Sequence, residues 1–161
     1  MAMDTETPTA APATTTRPGK PRTAADVMTP APRTCSPFSK VLEAVLIFRD
    51  EDCGAVPVVE AGKPIGVLTD RDVALALANY PDVVSRDVTE IMSKGAITVK
   101  PTDTLATVRQ RFGEHAVRRL LVVDDKDQLV GIIAWADIAP HLDECKIGEV
   151  VEEVVTAPPA P

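Results

Sequence analysis

The chain has 161 residues, 45% hydrophobic but only 3% aromatic, and carries a net charge of −7. A core must therefore be assembled from Val, Ile, Leu and Ala, and the length leaves no room for a catalytic domain joined to a separate regulator. The acidic balance opposes non-specific binding to nucleic acid or docking on an anionic membrane.

Three cysteines, Cys35, Cys53 and Cys145, form no C-x-x-C pair, so neither a disulfide scaffold nor a zinc ribbon is expected. The start, Met1-Ala2-Met3-Asp4-Thr5-Glu6, has no basic stretch followed by an apolar one. No apolar run approaches the ~20 residues that span a bilayer. A cytoplasmic protein with no membrane partner is the expectation.

Residues 1–22 are mostly Thr, Pro and Ala, a composition that cannot offset the entropy of ordering, and predict a disordered tail. From 23 onward the sequence repeats itself. Val27-Met28-Thr29 corresponds to Ile91-Met92-Ser93, and the same offset superposes Thr34 on Thr98, Pro37 on Pro101, Phe48 on Phe112, and Val58-Val59-Glu60 on Val122-Val123-Asp124. After one inserted residue near Asp125 to Asp127, the segment from Gly66 to Val73 falls on Gly131 to Ile138.

Each copy, 23–80 and 85–143, reads alike. A short strand and a Pro-containing cap lead into a helix with apolar positions such as Val41, Leu42, Val45 and Phe48. Two β-branched runs joined by a polar turn follow (Ala55 to Val59 with Ile65 to Leu68; Leu120 to Val123 with Leu129 to Ile133), which predicts a β-hairpin. A last helix begins at Thr69 or Ala134. The fold class is α+β, two β-α-β-β-α units packed face to face because one alone buries too little. Residues 144–161 form an acidic, Pro-rich tail with a helix-like piece from Ile147 to Val155.

Tandem units of this kind, with a Val-Met-Thr lead-in and the closing segment Gly66-Val67-Leu68-Thr69-Asp70-Arg71-Asp72-Val73, resemble a pair of CBS (cystathionine-β-synthase) domains. Val117-Arg118-Arg119-Leu120-Leu121-Val122-Val123-Asp124 fits the second copy, and the stretch from Ala136 to Leu142 is similar to stand-alone, hypoxic-response-type CBS proteins of bacteria. The resemblance implies a pseudo-two-fold pair with two clefts. It implies a regulatory role, not an enzyme, in which a cleft takes an adenosine-containing nucleotide (AMP, ADP, ATP or a relative) with no obligatory cofactor.

Thr69 and Asp72 sit where a strand becomes a helix, so the hydroxyl and the carboxylate either cap the helix or hold a ribose. The resemblance places Thr98, Val99, His115, Val117, Arg118 and Arg119 opposite them, a cleft with cations for a phosphate. Arg109 and Arg111 are expected on the wet face of a helix. The other cleft joins Thr34, Gly54 and Ala55 to Asp137, with Ala134 in place of the hydroxyl and no cation near. It is expected to be the weaker, empty or holding an uncharged nucleoside end.

Trp135 reads as an exposed interface anchor more than an adenine platform. A homodimer is expected through the apolar faces of Val73, Leu75, Leu77, Ile138 and Leu142, and a ligand-free interaction module is the alternative class. No P-loop, Gly-x-Ser-x-Gly or three-His zinc pattern occurs, and the spacing of His141 and Cys145 beside Asp137 and Glu144 reads as accidental. Cys35 and Cys53 are two buried thiols or a redox-sensitive pair.

Overall fold

The computed structural model describes residues 23–142. The expectations for 1–22, 144–161 and Cys145 lie outside the described residues.

Each repeat builds its own core from the periodicities just noted. In the first, α2 (Val41–Asp50) turns Val41, Ala44 and Ile47 onto Val56, Val58 and Leu68 of the hairpin β2 (Ala55–Glu60) and β3 (Lys63–Thr69). In the second, α4 (Leu105–His115) turns Leu105, Val108 and Phe112 onto Leu120, Val122 and Ile133 of β6 (Arg119–Val123) and β7 (Leu129–Ala134). Both hairpins carry a register shift at the same place, between Val58 and Val59 and between Val122 and Val123. Left-handed residues also recur in pairs: Asp52 with Ala116 after the helices, Ala31 with Gly95, and Gly62 with Asp127 in the turns. The duplication thus extends to the backbone.

The lead-in segments exchange partners. After α1 (Ala24–Val27), β1 (Thr29–Pro30) pairs antiparallel with β7, so the N-terminal segment edges the second repeat's sheet, whose order is β1-β7-β6-β5 with β5 at Thr98–Val99. Ala24 is fully buried in that second core. Reciprocally, β4 (Ser93–Lys94) pairs with β3, and Val83 and Val88 of two 3-10 turns fill the first core. Paired hydrogen bonds mark the symmetry: Ala24 N donates to Asp103 O at 2.8 Å, and Val88 N to Ser39 O at 2.9 Å.

Met28 lies against Gly131, and Met92 against Gly66, each where a side chain on the glycine would collide with sulfur. The hairpin tips meet as well. Leu129 N donates to Gly62 O at 2.9 Å, Lys63 and Lys100 both approach Asp127, and the Lys100 ammonium donates to the Asp124 carbonyl.

The last helices are short: α3 spans Asp70–Ala76 and α5 Trp135–Ile138. Trp135 departs from the expected exposed anchor. It is half-buried against the second core and meets Phe112 edge-on, with ring centroids 5.6 Å apart. Ile138 is fully buried and Leu142 packs on the same core, so neither offers an apolar face. Leu75 and Leu77 remain 60% and 56% exposed. Leu42 and Leu46 on neighbouring α2 are exposed with them.

Candidate functional site

Both strand-to-helix junctions are held by an aspartate three residues on. Oδ2 of Asp72 accepts from Thr69 N at 2.9 Å and Thr69 Oγ1 at 2.6 Å, and the hydroxyl in turn accepts from Asp72 N at 3.2 Å. Oδ2 of Asp137 accepts from Ala134 N at 2.6 Å. In each, one carboxylate oxygen fixes the helix start, and the other has no bond among the described residues. Capping and ligand binding are therefore compatible in the same side chain.

A cavity of about 470 Å³ opens at the second junction. Its walls are the 29–33 segment, the 51–55 segment between α2 and β2, and Arg119, Ile132, Ala134 and Asp137. The expected grouping of Asp137 with Gly54 and Ala55 is present. The expected absence of cations is not, since Arg33 and Arg119 both line the cavity.

Arg119 is here because antiparallel pairing sets the first residue of β6 directly opposite Ala134, the last of β7. Within one hairpin, the residue that enters the first strand must lie beside the cap that follows the second. Arg119 therefore lines the Asp137 cavity, and not, as the resemblance implied, only a cleft with Thr69 and Asp72. Its Nη1 donates to the Arg118 carbonyl at 2.9 Å, and that carbonyl also accepts from Trp135 N at 3.2 Å. Arg33 forms an ion pair with Glu51 at 3.3 Å, in which both side chains are largely in solvent.

The remaining expected residues divide as follows. Thr34 is exposed beside Arg33 and is not among the cavity walls. Thr98 is half-buried on β5, whereas Val99 is 3% exposed within the second core, so its side chain is unavailable to a ligand. Val117 packs against that core, and His115 and Arg118 are exposed around the left-handed turn at Ala116. Glu51 and Asp52 were not anticipated as site residues. The repeat correspondence held a signal for them, since it sets Arg33, Glu51 and Asp52 against Ile97, His115 and Ala116.

The thiols are not joined to each other. Cys35 is 2% exposed, and burial first, then the nearby Glu43 carboxylate, push its pKa up to about 11. Cys53 is half-buried on the cavity wall, and both are free. No group of three or more His, Cys, Asp or Glu able to hold a metal occurs among the described residues, and no helix there is long and apolar enough to cross a membrane.

The family description of the CBS domain matches residues 24–79 and 88–144. The chain belongs to the CBS-domain family. Among curated relatives, the CBS domain-containing protein YhcV of Bacillus subtilis is 38% identical over 114 residues, 71% of this chain and 81% of that one. Among solved structures, Hypoxic Response Protein I with two coordinated zinc ions superposes with a TM-score of 0.66 at 29% identity, covering 75% of this chain and 99% of that one. The CBS pair of protein MJ0100, in complex with 5′-methylthioadenosine and S-adenosyl-L-methionine, does so with a TM-score of 0.66 at 27% identity, covering 73% of this chain and 93% of that one. Two adenosine derivatives thus occupy the CBS pair of MJ0100, and the likeness to stand-alone CBS proteins agrees with the tandem resemblance.

Proposed function

We propose that this CBS pair is a regulatory module that binds an adenosine-containing small molecule in the cavity at Asp137. The observation that carries the reading is the convergence, in one space of about 470 Å³, of a carboxylate with a free oxygen and the guanidinium of Arg119. That volume lies within the roughly 300–1,000 Å³ of small-molecule sites. A carboxylate oxygen can accept from a ribose diol, and a guanidinium recognises an anionic 5′ group. The complex of MJ0100 with two adenosine derivatives supports the ligand class. By the repeat correspondence, a second cleft for the same class is expected at the Thr69–Asp72 junction, with Thr98, His115 and Arg118 as its candidate partners.

Calorimetric titration with AMP tests this. Wild-type protein should bind, and Asp137→Ala should remove the site with the fold intact by circular dichroism. An Asp137→Ala variant that binds as wild type does would overturn the assignment of the cavity.

The alternative, an interaction module working through its surface, is favoured by one observation. Leu42, Leu46, Leu75 and Leu77 leave an exposed apolar face on the first repeat, where the second repeat has Ala106, Gln110, Pro140 and the half-buried Leu142. Self-association through that face predicts a dimer mass in light scattering at low micromolar concentration. Leu42→Lys with Leu75→Lys should convert it to a monomer without loss of ligand binding.

A further inference from the structure

The walls of the Asp137 cavity carry three carboxylates, Glu51, Asp52 and Asp137, against two guanidinium groups, Arg33 and Arg119. One guanidinium is already committed, because Arg33 is paired with Glu51 at 3.3 Å. A fourth carboxylate, Asp70, stands at the rim, 3.4 Å from where a side chain on Gly54 would begin. A triphosphate seated here would bring several negative charges beside Asp52 while Glu51 holds Arg33, leaving Arg119 as the one cavity-wall guanidinium outside an ion pair, and that balance disfavours binding. An amino-acid group would find a partner for each end, its carboxylate at Arg119 and its ammonium at Asp52, with the Arg33–Glu51 pair left in place.

The corresponding positions of the second repeat carry no acidic side chain. In the repeat correspondence Glu51 and Asp52 are replaced by His115 and Ala116, and Gly54 by Arg118.

From this charge pattern we infer that the Asp137 cavity selects a nucleoside whose 5′ substituent is zwitterionic or cationic and discriminates against polyphosphates. The inference rests on the reading of this cavity as a nucleoside site and specifies its ligand class. Asp52 then determines specificity at the 5′ end and Glu51 does so by keeping Arg33 from an anion, while Asp137 holds the ribose that all such ligands share.

The test is a set of calorimetric titrations at low ionic strength with S-adenosylmethionine, AMP and ATP, counting only the binding that Asp137→Ala removes. S-adenosylmethionine should bind at least tenfold more tightly than ATP. In the double variant Glu51→Gln, Asp52→Asn, which frees Arg33 and suits the left-handed backbone at 52 (φ 48°), that preference should fall at least tenfold. ATP binding as tightly as S-adenosylmethionine, or a preference unchanged in the double variant, would overturn the inference and leave the cavity a nucleoside site. If none of the three ligands shows binding dependent on Asp137, the nucleoside reading falls and this inference with it.

Discussion

Arg119 and Ala134 face each other across the β6–β7 ladder, which brings the guanidinium beside the helix start that Asp137 holds. In the first repeat the same two positions are Ala55 and Thr69. At this pair of positions one junction therefore has a cation and no hydroxyl, and the other a hydroxyl and no cation.

Arg119→Ala should weaken an anionic or zwitterionic nucleoside by about tenfold to a hundredfold, the equivalent of the roughly 1.5–3 kcal/mol of a charge-assisted hydrogen bond. Arg118→Ala, an exposed side chain that is not among the cavity walls, should change it far less. Parallel titrations decide between them, and equal losses would return both arginines to one site.

The hydroxyl at 69 stabilises its helix start. Thr69→Ala, which deletes the bonds between Oγ1 and Asp72, should cost about 1 kcal/mol in urea unfolding. Ala134→Thr supplies the missing partner to Asp137 and should stabilise by a comparable amount. A destabilised Ala134→Thr protein would show that the two junctions are less alike than their capping suggests.

The two glycines under the methionines should respond differently to an added methyl group. At Gly131 the clash is with the Met28 side chain, Sδ at 2.5 Å, whereas at Gly66 it includes the Ser93 backbone oxygen at 2.5 Å. Overpacking of this kind costs roughly 1–3 kcal/mol. Gly131→Ala should therefore be recovered in part by Met28→Ala. Gly66→Ala should not be recovered by Met92→Ala. Melting temperatures of the four single and two double variants give the comparison.

The Cys35 thiol is ionised less readily in the folded chain, with a pKa near 11 against an ordinary value of 9.0. The folded state then holds the proton more tightly, so the contribution is intact below about pH 9 and is lost as pH rises toward 11. Two pKa steps correspond to about 3 kcal/mol at the upper limit. Unfolding of wild type and Cys35→Ala at pH 8 and pH 10.5 should show a steeper alkaline loss in wild type. At pH 8, iodoacetamide should modify Cys53 well before Cys35, and a nucleoside in the cavity should protect Cys53.

The duplicated pattern was legible because period, cap and hairpin are local: Val41 and Leu105, or Val58 and Val122, answer to the same neighbours in both copies. The caps at Thr69 and Asp72 were legible for the same reason. Which sheet the two-residue strands at Thr29 and Ser93 join was not, because one-residue matches at a fixed offset fit either partner equally. The placement of Arg119 was legible in principle, since pairing within a hairpin is short-range, but it was outweighed by the picture of a cleft closed from opposite repeats. Arg33, Glu51 and Asp52 lie in loops, where no periodicity marks which side chain faces inward.

The partners in the β1–β7 ladder, Thr29 with Ile132 and Pro30 with Gly131, come from nearly opposite ends of the described chain. Closing such a long loop is entropically costly and is repaid only once β6 and β7 have formed a template. The β6–β7 hairpin is therefore expected to form before this edge does. The β1–β7 edge is also continuous with the 29–33 wall of the cavity, so an occupant there would stabilise the pairing that ties the N-terminal segment to the second repeat's sheet.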